Sequence, residues 1–455
     1  MPREIRLNAF DMACVGHIQQ GLWTHPRDQS GRFNEMAYWT GYARRLEAGL
    51  FDGVFFADVL GVYDVYGGSA DAALRGAVQV PVNDPTLVIP AMAAVTRHLG
   101  FGVTCNLAYE QPFLFARRMS TLDHLTGGRI GWNIVTGYLD SAARAAGVEG
   151  QMAHDDRYDL ADEYMSLVYK LWEGSWDDEA VLADRARGIY TDPAKVRVIH
   201  HRGPQYRMDA MHLSSPSPQR TPVLYQAGSS TRGRRFAATH AECVFVNGQK
   251  REAVREIVDD IRAQAAQLGR SPGDVKVFLG ATLVIGRTDA EAAERFEEYR
   301  RHASSEAALV HAAASLGIDF ARYDLDEPVE TAGSQAIVSN VGAMTRSAGS
   351  QWTCRKLLDQ LVLGSRQAPW VGSAERIADL LVAWSEETGV DGFNLSRTVV
   401  PECFDDVIDL LVPVLQERGV YKTAYRDGTY REKLFGRARL PASHTAARYR
   451  GGLAA

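Results

Sequence analysis

The fold is decided by residues 221–248, which read TPVLYQAGSSTRGRRFAATHAECVFVNG. Apolar residues fill most of 222–227, and a turn rich in Gly and Ser follows them. A helical pattern then covers about 231–240 and leads into a second apolar run at 242–246. Two short apolar runs joined by a helix are typical of a β-α-β unit, in which the strands are parallel. This stretch therefore predicts a parallel sheet covered by helices.

The same alternation of strands and helices recurs on both sides of this stretch. Eight such strands close into a (β/α)₈ TIM barrel. A doubly wound open sheet alternates strands and helices in the same way, so the periodicity alone does not exclude it. We predict the barrel, with strands at 5–9, 52–58, 101–105, 129–135, 222–227, 242–246, 276–285 and 391–396.

Two insertion segments and a tail interrupt or follow this alternation. The first insertion covers about 174–220, the second covers about 314–370, and the C-terminal tail covers 420–455. We predict that residues 1–455 form a single barrel domain that carries these segments. The part from about 325 to 370 is a candidate active-site lid, a question that the sequence leaves open.

Composition and charge exclude several classes of function. The chain has 50 Lys and Arg against 56 Asp and Glu, with a formal net charge of -6 and no basic block. We therefore expect neither nucleic acid nor a membrane as a partner. No apolar run is long enough to span a bilayer, and the first residues do not form a signal-peptide pattern. The 5 cysteines form no CxxC pair, so we expect a reducing, cytoplasmic location.

We predict no metal site. His200 and His201 are adjacent, and neighbouring residues on a strand point to opposite faces of the sheet. The chain also has no GxGxxG fingerprint after a strand, no Walker loop and no GxSxG motif. These absences remove the common signatures of dinucleotide binding, P-loop chemistry and serine hydrolysis.

Polar side chains lie where the predicted strands end. The chemistry of a (β/α)₈ barrel lies at the carboxyl ends of its strands, so these residues are candidates for an active site. Each of them also has a structural interpretation, because a carboxylate can cap a helix and a lone histidine can be a structural residue. The candidates are Cys14, His17, Asp58, Tyr63, Thr104, Asn106, Asn133, Thr136 and Tyr138.

The turn GSSTRGRR puts small residues and hydroxyl groups at the start of a predicted helix. Free backbone N–H groups and the helix dipole favour a phosphate at such a position, so Ser229 and Ser230 are candidate phosphate ligands. An ordinary serine N-cap is the alternative. In the segment HDDRYD, His154 and Tyr158 either reach the same phosphate or belong to a polar capping segment.

Several motifs occur together, in an order that is specific to one family. They are NAFDMACVGHIQQGLW, FADVLGVYDVYG, STLDHLTGGRIGWNIVTG, HDDRYDLADEYM, LWEGSW, SPQRTPVLYQAGSSTRGRRFAATHAECVF and YREKLFG. By these motifs the chain resembles the bacterial luciferase-like flavin monooxygenases over nearly its whole length. The resemblance is strongest to the branch that holds nitrilotriacetate, dibenzothiophene-sulfone and long-chain alkane monooxygenases, and within it to the alkane enzymes.

The resemblance implies an enzyme that receives reduced FMN from a separate NAD(P)H:flavin reductase. It implies that O₂ is the co-substrate, and that a small, apolar, alkane-like organic substrate is oxygenated through a flavin peroxide. It also implies a homodimer or a homotetramer. The implied cofactor-binding residues are Asp58, Thr104, Asn106, Asn133, Thr136, His154, Tyr158, Ser229 and Ser230. The implied catalytic and substrate-site residues are Cys14, His17, Tyr63, Gln79, Tyr138 and His311.

Two positions depart from the alkane enzymes that the chain resembles. Tyr138 stands where they have a histidine, and Gly137 replaces a serine. These departures concern the substrate more than the cofactor, so oxidative cleavage of a C–S or C–N bond in a heteroatom-containing molecule stays an alternative. A deazaflavin-dependent dehydrogenase and a non-catalytic flavin-binding protein are further alternatives.

Overall fold

The structure is a computed structural model that describes residues 3–228, 230–329, 353–361, 363 and 368–452. Its strands, in chain order, are β1 (Arg6–Met12), β2 (Gly53–Ala57), β3 (Gly100–Asn106), β4 (Ile130–Val135), β5 (Val181–Asp184), β6 (Ile189–Thr191), β7 (Ile199–Arg202), β8 (Arg207–Ala210), β9 (Val223–Gln226), β10 (Cys243–Val246), β11 (Lys276–Gly286), β12 (Trp370–Ser373) and β13 (Gly392–Ser396).

Eight of these strands form a closed parallel ring. The order around the ring is β1, β2, β3, β4, β9, β10, β11 and β13, and β13 pairs again with β1. A closed ring has no edge strand, whereas a doubly wound open sheet has two. The predicted barrel is therefore confirmed, and each of its strands lies within three residues of the predicted bounds.

β1 extends past its predicted end at residue 9. The additional residues continue the ladder with β2, because Phe10 faces Phe55 and Met12 faces Ala57. Asp11 lies between them, and a carboxylate at this position in an apolar run predicts that the strand has ended. Asp11 is completely buried, and this is possible because Arg397 forms an ion pair with it.

Amphipathic helices cover the outside of the ring and bury an apolar stripe against it. In Arg251–Gln267, for example, Val254, Val258, Ile261 and Ala265 recur at helical spacing and are all buried. Among the described residues, every helix falls short of the length and apolarity needed to cross a bilayer. The α-helices are Met36–Ala48, Asp71–Gly76, Ile89–Ala94, Pro112–Leu125, Asp140–Ala145, His154–Tyr169, Thr231–His240, Arg251–Gln267, Asp289–His302, Ser305–Leu316, Cys354–Leu361, Ala374–Thr388, Glu402–Asp406, Val412–Glu417 and Tyr430–Phe435.

The insertion at about 174–220 forms two antiparallel hairpins, β5 with β6 and β7 with β8. Of the insertion at about 314–370, the described part includes the helix Cys354–Leu361 and β12, which pairs with β11 outside the ring. Most of the candidate lid at 325–370 lies outside the described residues. The single-domain organisation stays a prediction.

The C-terminal tail closes the amino-terminal end of the barrel. Gly53 and Gly100 begin β2 and β3, and a Cβ atom on Gly100 would lie 2.3 Å from the ring of Tyr430. The two glycines therefore make room for a tyrosine under the strands. Next to it, Arg431 forms a fully buried ion pair with Glu242. The opposite, carboxyl end of the barrel is left for the candidate site.

Candidate active site

The ends of the barrel strands gather most of the predicted residues at one rim, because parallel strands all end on the same side. Gln79 comes from a loop after the helix Asp71–Gly76, and His311 comes from the helix Ser305–Leu316. Ser229 lies outside the described residues. The residues at or just after strand ends are Cys14 and His17 after β1, Asp58 and Tyr63 after β2, Thr104 and Asn106 in β3, Asn133, Thr136 and Tyr138 in or after β4, and Ser230 after β9.

Five of the predicted catalytic residues form one polar network. The Tyr63 hydroxyl donates to Oε1 of Gln79 at 2.7 Å and lies 2.9 Å from the Tyr138 hydroxyl. Nε2 of Gln79 donates to the backbone carbonyl of His17 at 2.9 Å and lies 3.3 Å from Nε2 of His311. The network therefore connects two tyrosines, one amide and two histidines.

The backbone of His17 fixes the direction of this network. A carbonyl oxygen only accepts hydrogen bonds, so the amide nitrogen of Gln79 must face it and the amide oxygen must face Tyr63. Tyr63 uses its single proton on Gln79, and Tyr138 must therefore donate to Tyr63. The second proton of the Gln79 amide points to Nε2 of His311, which makes that nitrogen an acceptor. In a neutral His311 ring, this contact places the ring proton on Nδ1.

The conformation of Gln79 depends on the loop around it. Its φ of 54° lies in the left-handed region, which a residue without special constraints avoids. The backbone N–H of Gln79 donates to the carbonyl of Gly16 at 2.8 Å. Gly16 itself has no room for a side chain, since a Cβ there would lie 2.3 Å from the carbonyl oxygen of Ala77. The loop after β1 and the loop around Gln79 therefore pack backbone to backbone.

His17 and Cys14 are both buried beside this network. Burial lowers the pKa of His17 well below its ordinary value, and the charge of Arg397 lowers it further. The imidazole is therefore neutral at physiological pH, and its Nδ1 has no partner within the described residues. Burial raises the pKa of Cys14 to about 12, and its Sγ donates to the carbonyl of Gly16 at 3.3 Å. Cys14 is thus a wall of the site rather than a thiolate nucleophile.

A second group of predicted residues lies on β3 and β4. Thr104 faces Asn133 across the ladder, and Nδ2 of Asn133 donates to Oγ1 of Thr104 at 2.9 Å. Oδ1 of Asn133 is buried without a partner in the described structure, which is expected of an atom that binds a polar ligand. Asn106 caps the backbone N–H of Ala108 at 2.9 Å. Thr136 follows β4 and is half-buried.

The carboxyl group of Asp58 at the end of β2 has an unusual acidity. Burial raises the pKa of Asp58 to about 7, and the negative charges of Asp84 and Glu110 act in the same direction. A half-buried carboxyl group with such a pKa is protonated about half the time at neutral pH. It can therefore donate a hydrogen bond to a carbonyl oxygen or ring nitrogen of a ligand.

The start of the helix Thr231–His240 is the part of the rim that the sequence predicts to bind a phosphate. Ser230 is the N-cap, and its Oγ accepts from the backbone N–H of Gly233 at 3.0 Å. Nε2 of His154 lies 3.4 Å from the same Oγ. A Cβ on Gly228 would lie 2.6 Å from the Tyr158 hydroxyl, so only glycine allows this close approach. Ser230, His154 and Tyr158, which come from two different helices and their flanking turns, thus lie together.

This arrangement fits a flavin mononucleotide. The helix N-terminus, the Ser230 hydroxyl and the His154 ring offer donors to a phosphate. The amide oxygen of Asn133 and the carboxyl group of Asp58 offer an acceptor and a donor to a heterocycle. Within the described residues, no group of three or more His, Cys, Asp or Glu side chains could hold a metal ion.

Sequence reasoning missed two buried arginines at this rim. Arg157 donates to the carbonyl of Gly137, and its Nε is buried without a partner in the described structure. Arg397 binds Asp11 and the loop after β1. The signal for Arg157 was its place between His154 and Tyr158 in the motif HDDRYD. For Arg397 the only signal was its position directly after the predicted strand 391–396.

Asp58→Asn is expected to change how thermal stability depends on pH. The raised pKa of Asp58 means that the folded protein binds this proton more tightly than the unfolded chain, so the group stabilises the fold at low pH. That contribution is lost as the pH rises from about 4 to about 7. An amide does not titrate, so the melting temperature of the variant should exceed that of the wild type increasingly as the pH rises from 5 to 8.

The measurement is a series of melting curves at constant ionic strength. Asp427→Asn, an exposed position on the tail, is the control and should keep the wild-type pH dependence. If the melting temperatures of Asp58→Asn and the wild type change in parallel with pH, the Asp58 carboxyl group has the same pKa in the folded and the unfolded protein.

Comparison with known proteins agrees with the barrel and its rim. The model of the luciferase-like monooxygenase family matches residues 10–392. The chain is 47% identical to the dimethyl-sulfide monooxygenase of Hyphomicrobium sulfonivorans, over 99% of this chain and 94% of that protein. It is 48% identical to the long-chain alkane monooxygenase of Geobacillus thermodenitrificans (strain NG80-2), over 99% of both chains.

A solved structure of a riboflavin lyase with modified FMN and riboflavin is also similar, with a TM-score of 0.92 and 38% identity over 98% of this chain and 100% of that chain. The family match covers most of the barrel, from the end of β1 to the start of β13, and each of the two relatives is similar over nearly the whole chain. The chain therefore belongs to the luciferase-like monooxygenase family.

Proposed function

We propose that the protein is the oxygenase component of a two-component monooxygenase, which uses reduced FMN and O₂ to oxygenate a small organic molecule. One observation carries the proposal: an anion-binding helix start with Ser230, His154 and Tyr158 lies at the same barrel rim as the network of Tyr63, Gln79 and the histidines. By its family resemblance, the protein would receive the reduced flavin from a separate NAD(P)H:flavin reductase.

The proposed cofactor site consists of the residues that the family resemblance implies, and the contacts described above support it. Ser230, with Ser229 beside it in the sequence, His154 and Tyr158 bind the phosphate. The residues assigned to the flavin ring and its ribityl chain are Asp58, Thr104, Asn106, Asn133 and Thr136. When bound, reduced FMN supplies the two electrons that activate O₂. The protein side chains hold the flavin, exclude water and move protons near the reacting atoms.

The polar network is the proposed reaction site. His17 is a neutral imidazole there, and the rings of His17 and His311 are the groups that can relay a proton. Tyr63 and Tyr138 orient the substrate or the reacting oxygen through their hydroxyl groups. Gln79 holds both histidines in place, at the carbonyl of His17 and at Nε2 of His311.

For the substrate we propose a small, apolar molecule similar to those after which two of the compared monooxygenases are named, long-chain alkanes and dimethyl sulfide. The second candidate is the oxidative cleavage of a C–S or C–N bond. The network favours it, because hydroxyl, amide and imidazole groups can bind a heteroatom, and a hydrocarbon chain offers them no hydrogen bond.

The deciding experiment is stopped-flow mixing of the protein and anaerobic reduced FMN with oxygenated buffer. A transient absorbance band before the spectrum of oxidised flavin, with a decay that changes on addition of dimethyl sulfide or hexadecane, supports the monooxygenase and ranks the substrates. If FMN binds and is oxidised without any transient absorbance band, the result supports a non-catalytic flavin-binding protein. A hydride transfer that needs a deazaflavin and no O₂ would support the dehydrogenase instead.

Ser230→Ala is expected to weaken FMN binding about tenfold or more, because a hydrogen bond to a charged group contributes about 1.5–3 kcal/mol. Riboflavin lacks the phosphate, so its affinity should not change. The measurement is fluorescence titration with both ligands. Ser304→Ala removes the N-cap of another helix, where Oγ accepts from Ala307, and serves as the control. An equal loss of affinity for FMN and riboflavin would show that Ser230 does not bind the phosphate.

Two properties of the whole assembly are proposed from the family resemblance. We expect a homodimer or a homotetramer, which size-exclusion chromatography with light scattering distinguishes. We also expect a cytoplasmic location, which agrees with five cysteines that are all buried and reduced.

A further inference from the structure

Arg397 is a buried cation at the rim with an unusually complete set of partners. It directly follows β13, and its side chain is 4% exposed. Nε lies 2.8 Å from Oδ1 of Asp11, whose side chain is fully buried in β1. Nη2 donates to the backbone carbonyls of Cys14 at 2.9 Å and of Val15 at 2.8 Å. One guanidinium group therefore joins the last strand of the barrel to the first strand and to the loop after it.

That loop is held from two sides. Arg397 binds the carbonyls of Cys14 and Val15, and Gln79 binds the carbonyl of His17 and, through its own N–H, that of Gly16. Four successive carbonyl groups thus have fixed donors. A planar guanidinium can serve one carboxylate and two carbonyls at the same time, whereas an ammonium group has no such fork.

His17 and Arg397 also face a common space. A small cavity of about 10 Å³, enough for about one water molecule, is lined by both residues together with Gln19, Asp28 and Thr398. The titratable groups around His17 are the Arg397 guanidinium on this side and the His311 imidazole on the side of the network. Asp11, the nearest carboxylate to Arg397, is engaged in the ion pair.

We propose that Arg397 is a positioning residue for the reaction site, which clamps the loop from Cys14 to His17 onto β13 and thereby sets the place of the His17 imidazole. This role rests on the function proposed above, in which His17 acts at the reaction site. Arg397 touches no reacting atom in this scheme. The positive charge of Arg397 has a second effect, because it keeps the neighbouring imidazole of His17 neutral.

The test compares two chemically matched substitutions. Arg397→Lys keeps the charge and loses the fork. Arg431→Lys does the same at the opposite end of the barrel, where Arg431 binds Glu242 and the carbonyls of Thr221 and Pro222. Both variants should lose a similar amount of thermal stability. Only Arg397→Lys should lower kcat, by about 100-fold, because a misplacement near 1 Å at a reacting group has an effect of this size.

A readout without turnover separates this inference from the proposed function. In ¹³C-histidine-labelled protein, the ring signal of His17 is assigned by its disappearance in His17→Gln. We expect that signal to shift in Arg397→Lys and to stay in place in Arg431→Lys, whether or not any substrate is converted. If Arg397→Lys unfolds the protein, the pair Asp11→Asn with Arg397→Gln removes both charges and keeps a side-chain hydrogen bond.

An unshifted His17 signal in a folded Arg397 variant would overturn the proposal, and so would equal kcat values for the two lysine variants. A shifted signal without any monooxygenase activity in the wild type would instead leave the clamp in place and reject the proposed reaction.

Discussion

His17→Gln is expected to lower kcat by about 100-fold or more, because a positioned acid or base contributes factors of about 10² to 10⁴. His17 is buried and neutral, and its Nδ1 is without a partner among the described residues. The neutral imidazole can therefore hydrogen-bond the reacting oxygen through Nδ1 or relay a proton. Glutamine keeps a similar size and polarity but does not titrate. The measurement is steady-state turnover with reduced FMN and the substrate found in the stopped-flow experiment.

The control for this prediction is His212→Gln. His212 is also a buried histidine, and burial lowers its pKa to about 4. It lies in the insertion at about 174–220, outside the residues assigned to the site, and its Nε2 is 2.9 Å from the Ser120 hydroxyl. That variant should keep wild-type kcat, and both variants should bind FMN with wild-type affinity. Wild-type turnover in His17→Gln would make His17 a structural residue and move the proton transfer to His311.

Arg431→Leu is expected to lower the free energy of unfolding by about 3–5 kcal/mol, since it leaves a buried carboxylate without its partner. Nε and Nη2 of Arg431 lie 2.8 and 2.9 Å from the two oxygens of Glu242, and both side chains are fully buried. Arg431 also donates to the backbone carbonyls of Thr221 and Pro222, directly before β9. The tail would therefore separate from the barrel. Urea unfolding followed by circular dichroism measures the change.

The double variant Arg431→Leu with Glu242→Gln is the control. It removes the uncompensated charge, so it should recover a large part of the lost stability. A single variant as stable as the wild type would show that water reaches Glu242 in the native state and that the tail does not seal the barrel.

The barrel was predictable because strand and helix periods are local properties of the chain. Runs such as VLYQ at 223–226 and CVFV at 243–246 carry their own signal, and all eight barrel strands lie where these runs lie. The end of β1 was predicted too early, because Asp11 interrupts the apolar pattern. The local sequence predicts an exposed carboxylate. An arginine far away in the sequence can pair with that carboxylate and allow its burial.

Parts of the candidate site were also readable in the sequence. Ser230 follows a strand and precedes a helix, an order that is compatible with an anion site and with an ordinary serine N-cap, and the structure shows the N-cap. The grouping of Gln79 with His311 has no such signal, because 232 residues separate them. Only the family resemblance brought these two residues together before the structure did.

The sequence by itself determined the alternation of parallel strands and helices, the polar residues at the strand ends and the hydroxyl-rich start of the helix Thr231–His240, since each depends on residues close together in the chain. Only the tertiary structure decided the direction of the Gln79 network and the pairing of Arg397 with Asp11. Closure of the ring brings β13 against β1. Arg397 can therefore donate a hydrogen bond to Cys14, although the two residues are 383 positions apart in the sequence. Burial then sets the protonation of His17 and Asp58, because the free energy of a charge depends on all the groups that exclude water around it.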